Sequence, residues 1–342
     1  MRIAIMGAGS WGTAVSWLLG NNGHDVALWC HEAHVAEGVN AEHRNPQYLK
    51  DVHLPESVRA TPDMADALAA ADAAVMVSPS HVVRSVAERM HPHLADGTPV
   101  VSLAKGIEAG TLMRMTEVLA DVLGGVDRLA ALSGPNHAEE VSKGVPSATV
   151  VASSNPDVSR LFQDAFMTSF FRVYTNEDVV GVELCAASKN VIAIAAGISD
   201  GLGYGDNTKA ALMTRGLAEM SRLGRRLNAN PLTYMGLAGM GDLIATCTSK
   251  HSRNRGLGEL IAQGGTIADF EERTHMVAEG ATSCVTVDEL ARREGVELPI
   301  THQVRQILYE NKPPTDAVES LLGREARDEL HGMGLVEDGE EA

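Results

Sequence analysis

The sequence predicts an α/β protein with two domains, a mainly parallel sheet domain followed by an all-helical domain. Through the first half of the chain, short β-type runs alternate with helix-length segments. That alternation is typical of parallel strands with helices on both faces of the sheet. After residue 175 strand-like runs almost vanish, and residues 179–198 are apolar on nearly every helical face. A helix of that kind lies in a domain core, so it opens the predicted helical domain.

Each predicted strand is a short run of apolar and β-branched residues that ends at turn residues. In chain order the strands are 3–6, 26–29, 73–77, 100–103, 129–132, 148–152 and 169–175. The last one ends at Asn176-Glu177-Asp178, where we place the domain boundary. The predicted domains are therefore 1–178 and 179–330, and we expect the acidic tail at 331–342 to be disordered.

Length and charge limit the classes of function. At about 150 residues per domain, 342 residues suggest roughly two domains and a sizeable core. The chain carries 28 basic and 45 acidic residues, a net charge of −17 that repels phosphate backbones. This charge argues against nucleic-acid binding through a general basic surface, so an anionic ligand needs a local cationic pocket.

The cysteines and the apolar segments indicate a cellular location. The N-terminus lacks the apolar core and cleavage site of a secretory signal, and no apolar run approaches the ~20 residues of a membrane span. We expect no stable membrane insertion. Four cysteines without a CxxC pair argue against disulfides and structural zinc, and they predict a reducing, cytoplasmic location and no metal. They are Cys30, Cys185, Cys247 and Cys284.

The first candidate site is a glycine motif, Gly7-Ala8-Gly9-Ser10-Trp11-Gly12, between the first strand and a helix. Gly7 permits a tight turn, Gly9 lets the backbone approach a pyrophosphate, and Gly12 allows close packing of helix and strand. The helix N-terminus offers free N–H groups to the anion. The motif therefore predicts a Rossmann-type domain that binds a dinucleotide.

The residues after the second strand leave the choice between NAD and NADP open. This position of the fingerprint usually carries an acid for the adenosine ribose of NAD. Here the chain has Cys30-His31-Glu32. Glu32 could bind the ribose of NAD, whereas His31 could stack on adenine or help to hold a 2′-phosphate.

Two further motifs follow predicted strands, at the sheet edge where open α/β sheets bind ligands. They are Ser102-Leu103-Ala104-Lys105-Gly106 and Ser133-Gly134-Pro135-Asn136-His137-Ala138. Lys105 is either a substrate contact or a solvated loop residue. His137 has no visible orienting partner in the sequence, which is more typical of a polar loop residue than of a catalytic acid or base.

Lys189 interrupts the apolar segment that opens the second domain. Its helical neighbours are Cys185, Ala186, Ile192 and Ala193, all small or apolar. Burial disfavours the charged form of a lysine and can make it a proton donor or acceptor. The alternative is a lysine whose ammonium reaches the edge of the domain.

A glycine-flanked acid and a basic segment lie close together in the second half. The first is Gly239-Met240-Gly241-Asp242-Leu243, with Thr246 one turn later; Asp242 could orient a lysine or a substrate hydroxyl, or cap a helix. The second contains Lys250, Arg253 and Arg255 among hydroxyl and amide donors. That composition suits a phosphate site and a salt-bridged surface helix equally well.

Together these motifs resemble the bacterial NAD(P)-dependent glycerol-3-phosphate dehydrogenases. The similar segments are GAGSWGTA, SLAKGIE, SGPNHAEE, ELCAASKNVIAIAAGISDGLGYGDNTKAAL, LAGMGDLIATCTSKHSRNRG, MVAEGATS and LPITHQVRQILYE. They occur in the family's order and extend from residue 1 to about 330. The resemblance implies interconversion of dihydroxyacetone phosphate and sn-glycerol 3-phosphate with NAD or NADP, for phospholipid synthesis.

The resemblance also assigns residues. Lys189 resembles the family's catalytic lysine, Lys105 a second lysine that reaches substrate and cofactor, and Asp242 the acid near the reacting hydroxyl. Substrate contacts are expected at Gly134, Asn136, Ser252, Arg253 and Asn254, and cofactor contacts at Gly7, Gly9, Ser10, Trp11, Gly12, His31, Lys105, Ala138, Arg253, Val277 and Glu279.

The chain departs from the family pattern at two places. The family commonly has serine or threonine and then a bulky apolar residue where this chain has Asn136 and His137. Members that bind NADP well often have an arginine after or in place of His31, where this chain has Glu32.

A homodimer is expected from the apolar faces of the helical domain. The alternatives are a related dehydrogenase for a hydroxy acid or sugar-acid phosphate, and a dinucleotide sensor without activity.

Overall fold

An eight-stranded sheet forms the first half of the protein, in the order β3-β2-β1-β4-β5-β6-β7-β8. The computed structural model describes residues 1–274 and 277–329, so the predicted tail at 331–342 lies outside the described residues. Neighbouring strands are parallel except β6 and β7, which confirms the predicted mainly parallel α/β fold. The strands are β1 (Arg2–Met6), β2 (Asp25–Trp29), β3 (Val58–Thr61), β4 (Ala73–Met76), β5 (Val100–Ser102), β6 (Leu129–Ser133), β7 (Ser147–Ala152) and β8 (Phe171–Asn176).

Strand β3 is absent from the strands predicted from the sequence. It has only four residues, and Arg59 is exposed within it. β3 lies at the edge of the sheet and pairs with β2 alone, Val26 opposite Val58. Short edge strands with a charged residue are common in proteins, and the two buried positions of β3 are too few to establish a two-residue period.

The strand register brings the loops that follow the strands to one edge of the sheet. Met6 at the end of β1 pairs with Trp29 of β2 and with Met76 of β4. In the sheet, β2 and β3 lie on one side of β1, and β4 lies on its other side. The gap between β1 and β4 is therefore the switch point at which doubly wound sheets bind ligands.

Helices cover both faces of the sheet, so β1 is buried on both sides. Ile3 and Ile5 belong to one apolar core, whereas Ala4 and Met6 belong to the other. This alternation follows from the two-residue period of a strand. The helices of this half are α1 (Ser10–Asn21), α2 (Ala33–Glu42), α3 (Met64–Leu68), α4 (Val83–Met90), α5 (Met115–Leu123), α6 (Ala138–Val141) and α7 (Pro156–Phe166).

Backbone contacts divide the chain into two units. One comprises Met1–Glu108 with Met113–Val179, and the other comprises Ala109–Leu112 with the chain from Val180 onward. The second unit is helical, as predicted. Its helices are α8 (Val179–Gly201), α9 (Asp206–Arg226), α10 (Pro231–Tyr234), α11 (Asp242–Thr248), α12 (Arg253–Ala262), α13 (Ile267–Thr274), α14 (Glu279–Arg293), α15 (Pro299–Tyr309) and α16 (Pro314–Leu322).

The small residues of α8 allow it to touch α12 directly. A Cβ atom on Gly197 would lie 1.9 Å from the backbone oxygen of Arg255, and one on Gly258 would lie 2.1 Å from that of Ile194. No side chain larger than hydrogen fits between these backbones. Helix α8 is long and apolar enough to cross a membrane, but 83% of its most apolar window is buried inside the protein. It is a core helix, as its sequence predicts.

Candidate active site

The glycine turn after β1 has the geometry that a dinucleotide fingerprint requires. Gly7 has φ +127°, and its N–H donates to the backbone oxygen of Trp29 at 3.2 Å. A Cβ on Gly12 would lie 1.9 Å from the Gly7 oxygen, so only glycine lets α1 approach the turn. A Cβ on Gly9 would have no atom of the chain within 4 Å. The residues therefore fit a pyrophosphate that approaches the backbone at Gly9.

The other candidate cofactor residues of the first unit lie at the starts of helices or the ends of strands. Ser10 and Trp11 are the first residues of α1, whose terminal N–H groups have no partner within the helix. Ala138 is the first residue of α6. His31 follows β2, is exposed, and lies edge-on to the Trp29 ring with 6.1 Å between centroids.

The motifs after β5 and β6 meet, as expected for adjacent parallel strands. Lys105 Nζ donates to the backbone oxygen of Gly134 at 3.3 Å. Gly134 has φ +158°, and a Cβ there would lie 2.9 Å from the Thr149 Cα atom. The Asn136 amide is 2.9 Å from Thr149 Oγ1. Asn136 therefore attaches the loop after β6 to β7, while Lys105 lies against the same loop.

The loop after β4 also belongs to this edge, and the sequence analysis did not identify it. Ser78 Oγ donates to the backbone oxygen of Met6 at 2.8 Å and lies close to Gly7. Ser80 packs against Gly106, because a Cβ atom on Gly106 would come within 2.6 Å of the Ser80 side chain. The position after a strand at the switch point was the available signal.

In the second unit, Lys189 is buried at 4% exposure in the middle of α8. Its Nζ atom lies 2.7 Å from Asp242 Oδ1 and 2.6 Å from Thr246 Oγ1. Thr246 Oγ1 also lies 2.6 Å from the backbone oxygen of Asp242. A hydroxyl has one hydrogen, so Thr246 donates to that backbone oxygen and accepts from Lys189. The ammonium is therefore held inside the unit and does not extend to its edge.

A π-helical turn, Leu237–Gly241, directly precedes Asp242. Within it, a Cβ on Gly239 would lie 2.1 Å from the backbone oxygen of Tyr234, so a side chain has no room there. Asp242 and Thr246 are one turn apart at the start of α11 and face Lys189 together. π-helical turns are rare and frequently occur at functional sites. This turn explains the sequence Gly239-Met240-Gly241 before the acid.

The structure separates the three cations of the basic segment. Arg255 Nε donates to Asp200 Oδ2 at 2.8 Å, and Arg255 also pairs with Glu259. Lys250 is exposed. Arg253 is exposed and donates to the backbone oxygen of Val277 at 3.2 Å. Arg255 is thus part of a salt-bridged helix, whereas Lys250 and Arg253 are exposed.

The polar neighbours of Arg253 organise the start of α12. Ser252 Oγ accepts from the backbone N–H of Arg255 at 3.2 Å and caps the helix. Asn254 is buried, donates to Asn190 Oδ1 at 3.0 Å, and accepts from the backbone N–H of Gly280 at 2.8 Å. It links α12 to the residue after Lys189 and to α14, where Glu279 is the first residue.

The thiols and the metal-ligating residue types form neither a disulfide nor a metal cluster within residues 1–274 and 277–329. None of the four cysteines forms a disulfide, and all four are buried. Burial raises the pKa of Cys30, Cys247 and Cys284 to about 12, so these thiols stay protonated near neutral pH. No group of three His, Cys, Asp or Glu side chains in the described part of the chain could hold a metal ion.

Known proteins match this chain over almost its whole length. The models for the N-terminus and C-terminus of NAD-dependent glycerol-3-phosphate dehydrogenase match residues 2–159 and 178–319. A glycerol-3-phosphate dehydrogenase (NAD(P)+) of Salinibacter ruber is 50% identical over 329 residues, 96% of each chain. One of Streptomyces griseus is 49% identical, over 96% of this chain and 98% of its own.

Solved structures agree with these matches. Glycerol-3-phosphate dehydrogenase from Coxiella burnetii has a TM-score of 0.91 at 40% identity, over 94% of this chain and 99% of its own. That from Saccharomyces cerevisiae has a TM-score of 0.81 at 28% identity, over 93% and 98%. The fold and these relatives define an NAD(P)-dependent oxidoreductase. The chain belongs to the NAD-dependent glycerol-3-phosphate dehydrogenase family, which confirms the resemblance of its motifs.

Proposed function

We propose that this protein interconverts dihydroxyacetone phosphate and sn-glycerol 3-phosphate with NAD(H) or NADP(H). The observation that carries the proposal is the buried Lys189, whose Nζ atom contacts both Asp242 and Thr246. A buried ammonium next to a carboxylate and a hydroxyl is suited to proton transfer at a reacting oxygen. The names of the relatives, which share up to half of the sequence, supply the substrate.

Residues of the first unit would bind the dinucleotide. The glycine turn would contact the pyrophosphate through Gly9, Ser10 and Trp11, and His31 would lie near the adenosine. Lys105 and Ala138 are further proposed cofactor contacts in the first unit, and Val277 and Glu279 are proposed cofactor contacts in the second unit. When bound, the nicotinamide supplies the hydride in one direction and accepts it in the other.

Lys189 is the proposed proton donor and acceptor. During reduction of the C2 carbonyl, its ammonium stabilises the developing alkoxide and then gives it a proton. During oxidation, neutral Lys189 removes the hydroxyl proton. Asp242 and Thr246 hold the Nζ atom in place, so no reorganisation is needed as charge develops. General acid–base help of this kind contributes about 10²–10⁴-fold to the rate.

Arg253 is the proposed contact to the substrate phosphate. Its guanidinium is exposed, and arginine matches phosphate oxygens in a bidentate way. Ser252 and Asn254 stand beside it, and their hydrogen bonds within the unit suit positioning of Arg253. Gly134 and Asn136 are the proposed substrate-side loop in the first unit. We assign most of the cofactor binding to residues 1–178, and catalysis with most of the substrate binding to residues 179–330.

The proposed setting is the cytoplasm, where the product would supply the backbone of glycerophospholipids. Free, buried thiols suit a reducing compartment. A homodimer is proposed because Leu232 and Met235 expose 69% and 65% of their surface in the helical unit.

The test follows the loss of reduced-nicotinamide absorbance when dihydroxyacetone phosphate is added, with NADH and NADPH in parallel. Unphosphorylated dihydroxyacetone and a 2-oxo acid are the matched alternative substrates. We expect rapid loss only with the phosphate ester, and the ratio of the two rates gives the cofactor preference. Protein that binds NADH but oxidises it with none of these compounds, or only with the oxo acid, would contradict the proposal.

A further inference from the structure

Asn45 is completely buried in the connection between α2 and β3, and its side chain makes four hydrogen bonds. Its Nδ2 atom donates to the backbone oxygen of Ala8 and to Thr13 Oγ1, each at 2.8 Å. Its Oδ1 atom accepts from the backbone N–H groups of Gln47 and Tyr48 at 2.9 and 3.0 Å. Asn45 shows no accessible surface. This residue therefore connects its own loop to the glycine turn and to α1.

The bond to Ala8 determines how the next peptide is oriented. The carbonyl of Ala8 and the N–H of Gly9 belong to one trans peptide, so they point in opposite directions. Asn45 attracts this carbonyl into the interior of the unit, and the Gly9 N–H must then point outward. A Cβ on Gly9 would have nothing within 4 Å, so the backbone at Gly9 is open to a ligand.

Local sterics do not fix this orientation. Ala8 is flanked by Gly7 and Gly9, and glycine adopts positive and negative φ at similar cost. The peptide that joins Ala8 to Gly9 rotates about ψ of Ala8 and φ of Gly9, and Gly9, now at φ −68°, can adopt a positive φ as readily. The hydrogen bond from Asn45, with a longer 3.4 Å contact from Thr13 Oγ1, provides the missing restraint.

We propose that Asn45 is a positioning residue that keeps the Gly9 N–H directed toward the pyrophosphate of the dinucleotide. If this peptide flipped, a carbonyl oxygen would face the phosphate oxygens and repel them. The inference rests on the proposed function, since the ligand is a nicotinamide dinucleotide. It adds a residue remote in sequence from the glycine motif, which the fingerprint does not include.

The test is the variant Asn45→Asp, which replaces the donating amide with an acceptor that repels the Ala8 carbonyl. We expect binding of NADH, followed by its fluorescence, to weaken about tenfold or more, since a lost hydrogen bond commonly has an effect of that size. Binding of ADP-ribose, which has the pyrophosphate but no nicotinamide, should weaken by a similar factor. The kcat at saturating NADH and the KM for dihydroxyacetone phosphate should change less than twofold.

Asn40→Asp, at an exposed asparagine of the same unit, is the control for the chemical exchange. Asn40 makes two comparable bonds, at 2.7 and 2.9 Å, but to the backbone of Ala60 in β3 and not to the glycine turn. Its exchange should leave NADH binding unchanged. If Asn45→Asp does not fold, Thr13→Val removes the hydroxyl that accepts from Asn45 and should give a smaller loss of the same kind.

The outcomes separate this inference from the proposed function. Wild-type protein that binds neither NADH nor NADPH would overturn both. Wild-type binding with an unchanged dissociation constant in folded Asn45→Asp, or in Thr13→Val where the first variant does not fold, would overturn the role of Asn45 alone. An equal loss in Asn40→Asp would also overturn it, because the effect would then reflect general damage to the unit.

Discussion

Lys189 and Asp242 form an ion pair in which both side chains are almost inaccessible to water, although 53 residues separate them in the chain. Removing two charges from water costs several kcal/mol per ion, and a buried pair often contributes little net stability. Removal of one partner, however, leaves an uncompensated charge in the interior. The pair is therefore better explained by chemistry at this position than by stability of the helical unit.

Replacement of Lys189 should remove turnover and leave cofactor binding intact. For Lys189→Met, which keeps the length of the side chain, we expect kcat to fall about 10²–10⁴-fold because the proton donor is lost. The dissociation constant for NADH should change little. Lys143→Met, at an exposed lysine of the first unit, is the control and should behave like wild type. Near-normal turnover of Lys189→Met would refute the assignment.

Thr246 should matter through its hydroxyl alone. Thr246→Val keeps the shape but leaves a hydrogen of the Lys189 ammonium without its acceptor, so kcat should fall about tenfold, as expected for one lost charged hydrogen bond. Thr246→Ser keeps the hydroxyl and should recover most of the activity. Steady-state kinetics of the Thr246→Val and Thr246→Ser variants measures this difference in kcat. Equal losses in both variants would show that the methyl group, not the hydroxyl, is needed.

Arg253 and Arg255 should have opposite effects although they are two residues apart. Arg253→Ala should raise the KM for dihydroxyacetone phosphate about tenfold or more, the usual scale for a lost charged contact, with little change in the unfolding temperature. Arg255→Ala breaks the pairs with Asp200 and Glu259, so it should mainly lower the unfolding temperature. Kinetics and thermal unfolding of both variants distinguish the roles. The assignment fails if Arg255→Ala raises the KM as much as Arg253→Ala.

Glu219 should make the helical unit less stable as the pH rises. Its buried carboxyl accepts from the N–H groups of Ile300 and Thr301 at the start of α15, and desolvation raises its pKa from 4.5 to about 7. Between pH 4.5 and about 7, Glu219 keeps its proton in the folded chain, whereas it has released that proton in the unfolded chain. The free energy of unfolding therefore falls as pH increases from about 4.5 to about 7, by about 3 kcal/mol from this group.

The measurement compares urea unfolding of wild type and Glu219→Gln at several pH values, followed by far-UV circular dichroism. Glutamine does not titrate, so the difference between the two proteins isolates the carboxyl. Glu219→Gln should lose the decrease in stability between pH 5 and 7. The same pH dependence in both proteins would show that Glu219 does not hold its proton in the folded state.

The sequence was most informative where a local pattern has a local cause. The glycine turn could be predicted because the positive φ of Gly7 and the contact of Gly12 with the Gly7 oxygen both arise within six residues. The burial of Lys189 could be predicted because its helical neighbours are apolar. In both cases the periodicity of the chain itself carries the signal.

Contacts between distant residues could not be predicted in this way. Arg253 and Arg255 lie in one basic segment, and the bond from Arg255 to Asp200 on α8 joins residues 55 positions apart. Asn45 has no pattern around it that indicates a bond to Ala8. β3 was missed because its four residues contain only two buried positions, too few to establish a two-residue period. Such features depend on tertiary packing.

The contact between the backbones of α8 and α12 has a consequence for substrate choice. Lys189 lies eight residues before Gly197 on α8, and Arg253 lies five residues before Gly258 on α12. Because each glycine lies directly against the backbone of the other helix, the two helices cannot move closer together where they cross, and their separation is fixed. In the proposed enzyme, this crossing fixes the distance between Lys189 and Arg253. That distance limits how many bonds can lie between the reacting carbon and the phosphate of the substrate. A phosphorylated ketone with one carbon more would miss one of its two anchors.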